Sequence, residues 1–467
     1  MCGDKPHITA YGRGDETLYD TLAVLVSLAL GNADVTSLAP EYANVQPASG
    51  PSVRETGPGA QAVPLWLELS SDTRSSVSID GDLVAKRPAT GMAALDGMSR
   101  LTSTELVAFV SAHPNHIASI LAAPPAAAAV TGWWDGLGET AREELVSDVP
   151  RLVGNLDGIP LLERGQANLR YLGDAVTSAS SLLAGAVEGS SRSALNRELS
   201  VMTQIRQALL PACKAPARTL VLLDLADGGR AAIALGDPDT ADFVSYLVPG
   251  MNYGVQEQLV NWSNTADALY AEQGSVLRER AAATHSPVPS VATIAWIGYE
   301  TPSLFSVGGL DRADVGADFL EDSWKGIRSS RGDKQPFLSV FAHSYGSLVS
   351  LEALSRGSVE VNALVMVGSP GSATQSIDGL DVEDGNVFVG EADWDPAVNS
   401  GFFGSDPGSS AYGAHALGVD GGTDSVTGQT LSKSWGHNDY FTPGSESLHN
   451  MALIGTDNAA LVTDASE

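Results

Sequence analysis

The sequence predicts an α/β fold: a mostly parallel sheet of about eight strands that follows a mainly helical N-terminal region. Three observations predict it. Short apolar runs alternate with helical patterns from residue 216 onward, helical patterns dominate residues 101–215, and a strand, a tight turn and a helix meet around residue 344. Because parallel strands need crossover connections, usually helical, this alternation favours a largely parallel sheet.

Shifts in composition divide the 467 residues into four regions. Residues 1–100 are mixed, with loops rich in Pro, Gly and Ser, and we assign them no fold. Residues 101–215 form the helical region, and residues 216–455 form the α/β domain, which we expect to be catalytic. We expect residues 456–467 to be a flexible tail.

Periodicity and end signals predict the individual elements. Thr102–Glu105 is a capping signal that predicts a helix start, and the pair His113-Pro114 predicts that helix's end. The predicted strands of the α/β domain are Thr219–Asp224, Ala231–Leu235, Phe243–Val248, Val291–Ile297, Phe337–Phe341, Ala363–Val367, Asn386–Val389 and Ala414–Val419. The predicted helices are Val255–Glu272, Ala317–Arg328, Ser347–Leu354 and Ser445–Leu453. Strands without intervening helices come first, which indicates antiparallel pairs at the start of the sheet.

The net charge of −30 at pH 7 argues against two classes of partner. A chain this acidic is repelled by phosphate backbones, so we expect no nucleic-acid binding. Anionic lipid surfaces repel it in the same way. The longest early apolar run, Leu22–Leu30, is far shorter than the roughly 20 residues that a membrane span needs, so we expect no transmembrane segment.

The sequence leaves the protein's location and oligomeric state open. Its two cysteines, Cys2 and Cys213, are too few for a disulfide framework. The start Met1-Cys2-Gly3-Asp4 would fit a mature lipoprotein whose signal peptide has been replaced by one Met. The protein is therefore either cytoplasmic, or exported and lipid-anchored if Cys2 is that mature N-terminus.

Ser344 is the candidate nucleophile. It lies in Ala342-His343-Ser344-Tyr345-Gly346, between a predicted strand and a predicted helix, which is the context of a nucleophile elbow. The turn is so sharp that the residues two before and two after the Ser must be small, and Ala342 and Gly346 are. The alternative is an ordinary turn with a capping Ser. We expect His343 to pack beneath the turn.

A Ser nucleophile needs a base, and the base needs an orienting carboxylate. Both follow Ser344 along the chain. Asp395 and Asp393 come just after the strand that ends at Val389, and His437 lies in a loop before the last helix. Either carboxylate can be the acid; Asp395, in an Asp-Pro turn, is the first candidate, and Asp393 is the alternative.

Acyl transfer also needs donors for the developing oxyanion. The first candidate is the backbone N–H of Tyr345, directly after the nucleophile. The second is the N–H of Met251, or of a neighbour, in the loop after the strand Phe243–Val248, where Gly250 lets the backbone turn inward. An ordinary Pro-Gly turn is the alternative reading of that loop.

These motifs together resemble an actinobacterial α/β-hydrolase family of unknown function. The resemblance covers about residues 130–455 and rests on segments that recur in order: Trp133-Trp134, Val153–Pro160, Asp237–Asp242, Val248–Gly250, Ile297–Tyr299, His343–Ser347, Val367–Gly371 and Gly436-His437. It implies a serine-hydrolase fold, with a triad at Ser344, Asp395 and His437. It supplies no substrate, and residues 1–100 lie outside it.

The leading hypothesis is a serine esterase, lipase or amidase that acts on a small-molecule or lipid-like acyl substrate. Apolar side chains in insert-like stretches would form a lid or pack in the core: Phe305, Leu310, Phe319, Leu320, Phe402 and Phe403. A non-catalytic binding or cell-envelope scaffold is the alternative, because fold does not imply function. A metal-dependent hydrolase using Asp393, Asp395 and His437 is a third reading. No nucleotide-binding glycine motif is present, so we expect no cofactor.

Overall fold

The computed structural model describes residues 88–463, apart from 187–188, 212–214, 227, 304–305, 399 and 425. Several sequence-based expectations therefore fall outside the described residues: the assignments within residues 1–87, both cysteines, and Phe305.

The helical region begins earlier than predicted, because a helix before residue 101 packs with those that follow it. The helices of this part are α1 (Met92–Met98), α2 (Ser103–Ala112), α3 (His116–Ala122), α4 (Ala127–Asp135), α5 (Glu139–Asp148), α6 (Pro150–Asn155), α7 (Leu161–Gly185) and α8 (Ser190–Ala208). Leu95 of α1 packs in one core with Trp134 and Leu152. The predicted cap is confirmed: Thr102 and Glu105 form a capping box, and α2 ends before His113-Pro114.

The α/β domain contains the predicted sheet. Its strands are β1 (Arg218–Asp224), β2 (Arg230–Leu235), β3 (Phe243–Val248), β4 (Val291–Ile297), β5 (Phe337–His343), β6 (Ala363–Val367), β7 (Val387–Gly390) and β8 (His415–Ala416). Within the described residues the order is β1-β2-β4-β3-β5-β6-β7-β8. β1 and β4 pair antiparallel with β2, and the pairs from β4 through β8 are parallel. The fold class and the antiparallel start are thus confirmed.

Helices cover both faces of the sheet. They are α9 (Val255–Thr284), α10 (Asp311–Arg331), α11 (Gly346–Leu354) and α12 (Glu446–Ile454), and a short pair, β9 (Gly422–Thr423) and β10 (Thr430–Leu431), lies before α12. Side chains of α7, α8, α9 and α12 form the core on one face. Side chains of α10 and α11 form the core on the other. No helix of the described residues is long and apolar enough to cross a membrane.

The sheet topology fixes where a site can form. β3 and β5 are neighbours, but the chain leaves β3 toward β4 on one side and leaves β5 toward β6 on the other. Such a switch point opens a crevice beyond the carboxyl ends of the two strands, where ligands of α/β proteins bind. The loops after β3 and β5 are those that carry Met251 and Ser344.

Two end regions differ from the prediction. The eighth strand is shorter than predicted, at His415–Ala416. The Leu417 N–H still bonds to Val389 of β7, but from Gly418 onward the segment bonds to loops instead, and Val419 accepts from the Ser434 N–H. The described part of the expected tail, residues 456–463, is packed rather than flexible. Asn450 donates to the Thr463 hydroxyl at 2.8 Å, and the Gly418 N–H donates to the Thr463 carbonyl at 2.9 Å.

Two asparagines, Asn168, which is buried, and Asn155, which is half-buried, attach the helical region to the first strand. Asn168 on α7 is fully buried and donates to the Gly154 carbonyl at 2.8 Å and to the Leu220 carbonyl of β1 at 3.0 Å. Asn155 accepts the Leu223 N–H at 2.9 Å. Because buried backbone groups must be paired, these amides fix how the helical region sits on the edge of the sheet.

We expect Asn168→Leu to lower the free energy of unfolding by about 1–3 kcal/mol, because it removes the amide donor from the Leu220 carbonyl and leaves the Gly154 carbonyl with Arg164 Nε alone. Gln166→Leu, an exposed amide on the same helix, is the matched control and should change it by less than about 0.5 kcal/mol. Urea unfolding followed by circular dichroism measures both. Equal effects of the two variants would contradict the anchoring role.

Candidate active site

Ser344 occupies a strained turn between β5 and α11. Its φ is +55°, in the left-handed region that a non-glycine residue rarely adopts. Its backbone N–H is held by the Val367 carbonyl at 3.0 Å. Position 346 must be glycine, because a Cβ there would lie 2.5 Å from the Val248 carbonyl oxygen. The predicted strand, turn and helix are therefore present, and Ser344 lies at the tip of the turn.

His437 and Asp395 form a buried hydrogen-bonded pair. His437 Nδ1 and Asp395 Oδ1 are 2.8 Å apart, and both side chains are almost fully buried. Tyr440 donates its hydroxyl to Asp395 Oδ2 at 2.6 Å, and the Ala397 N–H donates to Oδ1 at 2.9 Å. Burial opposes the charge on Asp395, but His437 and these donors outweigh it and hold the pKa of the carboxyl below its ordinary value. Asp395 is thus an anion at neutral pH.

The segment Val367-Gly368 lies between the Ser344 turn and the Asp395–His437 pair. Gly368 follows Val367, whose carbonyl holds the Ser344 N–H. A Cβ added at Gly368 would lie 2.8 Å from Asp395 Oδ2 and 3.0 Å from His437 Nδ1. On the other side, His343 Nε2 lies 2.7 Å from the His437 carbonyl oxygen. The turn that carries Ser344 and the Asp395–His437 pair therefore both adjoin the segment Val367-Gly368 at the end of β6, while the described residues show no hydrogen bond between Ser344 Oγ and His437.

Asp393, the alternative acid, faces away from His437. Its carboxylate is exposed and pairs with Lys433 at 2.7 Å. Its backbone carbonyl accepts the Gly436 N–H at 2.8 Å, which aligns the two loops and brings Asp395 opposite His437. In the part of the chain that the structure describes, no three His, Cys, Asp or Glu side chains are grouped so as to hold a metal ion.

The loop after β3 lies directly against Ser344. A Cβ at Gly250 would lie 2.6 Å from Ser344 Cβ and 3.0 Å from its Oγ. The Tyr299 hydroxyl holds the Pro249 carbonyl at 2.7 Å, and the Asn252 N–H is held by Pro302 at 2.9 Å, so the loop is fixed at both ends. No described residue accepts a hydrogen bond from the N–H of Met251 or Tyr345. Both predicted donors are thus without an acceptor among the described residues.

His343 packs beneath the turn, as the sequence predicts. It is 3% exposed and lies among the rings of Tyr253, His437, Tyr440 and Phe441. Burial, together with the neighbouring His437, lowers the pKa of His343 to about 3. His343 is therefore neutral at any pH near 7 and adds no charge beside Ser344.

The sequence reasoning missed the role of Tyr440. Its hydroxyl accepts the Ala392 N–H at 2.9 Å while it donates to Asp395, so it ties the acid loop to the loop that carries His437. Burial and the Asp395 charge keep the pKa of Tyr440 well above its ordinary value, so it stays a donor. The sequence signal for this role was the presence of a Tyr three residues after the predicted base, His437.

An exposed aromatic pair flanks the site and was also missed. The rings of Trp394 and Trp435 stack with centroids 6.1 Å apart, and the side chains are 77% and 51% exposed. Trp394 adjoins Asp395 and has a φ of +61°, an uncommon conformation for a bulky residue. Of the apolar side chains considered for a lid, Phe403 lies 5.8 Å from the Tyr345 ring, whereas Leu320 is buried in the core of α10.

The chain is similar to a known protein family and to mycobacterial proteins. A family model described as Alpha/beta hydrolase matches residues 224–421. An uncharacterized protein of Mycobacterium tuberculosis is 28% identical over 386 residues, which cover 73% of this chain and 58% of that protein. The chain thus spans little more than half the length of that relative. An uncharacterized protein of Mycobacterium bovis is 34% identical over 200 residues, 41% of this chain and 74% of that protein.

Among solved structures, an esterase of Pyrobaculum calidifontis is 13% identical, with a TM-score of 0.31 over 57% of this chain and 92% of that one. A thermostable esterase of Pseudomonas putida is 12% identical, with a TM-score of 0.30 over 62% of this chain and 97% of that one.

The neutrality of His343 predicts acid sensitivity. Its pKa is depressed in the folded state, so the stability it contributes is complete above the unfolded pKa near 6.5 and is lost as the pH falls toward 3. Between pH 7.5 and 5.5 this one group should cost about 1.4 kcal/mol of the free energy of unfolding. His343→Gln should lose that part of the pH dependence, and the exposed His415→Gln should keep it. Identical pH slopes for wild type and His343→Gln would contradict this assignment.

Proposed function

This chain belongs to the alpha/beta hydrolase family, and from that premise we propose that it is a serine hydrolase that cleaves an ester, or an amide, through an acyl-enzyme. The observation that carries the proposal is the buried hydrogen bond between His437 and an ionised Asp395, beside a Ser held at a positive φ. A carboxylate on Nδ1 fixes the imidazole tautomer that leaves Nε2 free to accept a proton.

In the proposed first step, Ser344 Oγ attacks the acyl carbonyl carbon while His437 Nε2 accepts the hydroxyl proton. The carbonyl oxygen becomes an oxyanion, for which the N–H groups of Tyr345 and Met251 are the proposed donors. His437 then protonates the leaving group as it departs. A water molecule, activated by His437, attacks the acyl-enzyme and releases the carboxylic acid and free Ser344.

Asp395 and Tyr440 have positioning roles in this proposal. Asp395 orients His437 and stabilises the imidazolium that forms during each step. Tyr440 holds the second oxygen of Asp395, so the carboxylate cannot rotate away from the imidazole. The support for Asp395 over Asp393 is that only Asp395 contacts His437, while Asp393 pairs with Lys433.

A small-molecule or lipid-like acyl substrate is the proposed class. The aromatic side chains near the turn, Phe402, Phe403, Trp394 and Trp435, supply apolar surface for an acyl chain or for a ring in the leaving group. The leaving group stays open between an alcohol and an amine.

We expect Ser344→Ala and His437→Ala to lower kcat/KM for p-nitrophenyl butyrate by at least about 10³-fold, because each removes a group that acts as a unit with the others. Ser355→Ala, an exposed Ser at the end of α11, is the matched control and should keep wild-type activity. Circular dichroism checks that the variants fold. Undiminished hydrolysis by Ser344→Ala would overturn the proposal, and loss of activity on EDTA treatment would favour the metal-dependent reading.

The two carboxylates give a second comparison. Asp395→Asn should lower kcat by on the order of 10³- to 10⁴-fold, because the amide favours the wrong imidazole tautomer. Asp393→Asn should change it by less than about threefold, since it loses only an exposed ion pair. Steady-state kinetics on the same ester measures both. The reverse ranking would make Asp393 the acid.

A further inference from the structure

A cavity of about 760 Å³ lies away from the proposed active site. It is a partly open cleft between the helical region and the sheet, with walls from α6 and α7 on one side and from β1, β2 and α10 on the other. Ser344, Asp395 and His437 are not among its lining residues. Its volume falls within the roughly 300–1,000 Å³ that is typical of sites for small molecules.

Arg151 on α6 lines this cavity and is 8% exposed. No described residue forms a hydrogen bond or an ion pair with its guanidinium group. The other cations of the lining are paired: Arg164 with Asp157, Arg230 with Asp224, and Lys325 with Glu321. Arg151 is therefore the lining cation whose charge no carboxylate of the described residues compensates.

Arg151 as a residue is 8% exposed, yet none of its guanidinium nitrogens is among the fully buried unpartnered atoms of the described residues, so these nitrogens are open to the cavity without a protein acceptor. An anion that enters the cavity can accept the guanidinium's fork of N–H donors. The position of Arg151 thus indicates a ligand with a negatively charged group.

The rest of the lining restricts the ligand further. Asp322 is a lining carboxylate with no hydrogen bond among the described residues; burial and the charges of Asp157, Glu321 and Asp318 raise its pKa to about 6, and the charge of Lys325 opposes that rise. The lining holds six carboxylates, including Asp224 and Glu300, against four cations. It therefore repels a dianion such as a phosphate monoester about twice as strongly as a single carboxylate, which is enough to pair with Arg151. The apolar wall is broad and includes Leu121, Pro124, Leu161, Val221, Trp296 and Phe319. This apolar wall would contact the hydrocarbon part of a ligand.

We propose that this cavity is a binding site for an amphipathic monocarboxylate, an acid with one carboxylate and an apolar body, held by a bidentate contact with Arg151. The site is separate from the proposed catalytic centre and does not depend on its activity. Trp296 in the wall gives the site an internal fluorescence reporter.

Titration of the full chain with octanoate, 1-octanol and octylamine tests the proposal, because the three probes differ only in the head group. Calorimetry and Trp fluorescence should show octanoate bound about tenfold or more tightly than 1-octanol, and octylamine bound no better than the alcohol. Failure of octanoate to bind would overturn the proposal. So would equal affinity for octanoate and 1-octanol, or preferential binding of octylamine.

Arg151→Met tests the contact itself. The variant should lose on the order of tenfold or more in octanoate affinity, while its melting temperature without ligand is unchanged or higher, because a charge without a protein partner is gone. Arg206→Met, an exposed Arg on α8, is the matched control and should bind octanoate as wild type does. Unchanged octanoate affinity in folded Arg151→Met would overturn the proposal. Residual weak binding at the catalytic centre would persist in both variants.

Discussion

The left-handed turn at Ser344 is the constraint on which the rest of the site depends. It is packed from two sides: the loop after β3 lies against the Ser344 side chain, and the Val367 carbonyl of β6 holds its N–H. A residue with φ of +55° is strained and persists only where its surroundings fix it. The central position of β5, between β3 and β6, supplies those surroundings. The order of the strands therefore determines the backbone geometry of the proposed nucleophile.

The packing around the turn also sets the charges of Asp395 and His343. Three donors stabilise the negative charge of Asp395, which faces one edge of the His437 ring. Burial keeps His343, next to Ser344, neutral. The anionic Asp395 at Nδ1 and the neutral His343 beneath the turn both favour proton acceptance at Nε2 of His437. Tyr440 lies in the loop that carries His437. Its hydroxyl bonds to the Asp395 carboxylate and to the Ala392 N–H, so it joins that loop to the loop that carries Asp395.

The sequence predicted the sheet, its antiparallel start and the turn at Ser344, because those features depend on local periodicity and on small residues at fixed spacing. It ranked Asp395 ahead of Asp393 but left both open, since both follow the same strand. The pairing of the loops at Asp393 and Gly436 depends on tertiary structure. The contacts of Tyr440 and the unpaired Arg151 depend on tertiary packing, which no local pattern records. The tail was predicted to be flexible because it follows the last predicted helix, whereas Thr463 in fact bonds to Asn450.

Labelling with a fluorophosphonate tests the central claim most directly, because such a probe forms a covalent bond only with an activated hydroxyl. Intact-mass analysis of the folded protein should show one phosphonyl group, and peptide mapping should place it on Ser344. Prior heat denaturation should abolish the label. Folded protein that takes up no label, or that carries it on another residue while Ser344 stays free, would contradict the assignment of Ser344 as nucleophile and would favour a non-catalytic scaffold.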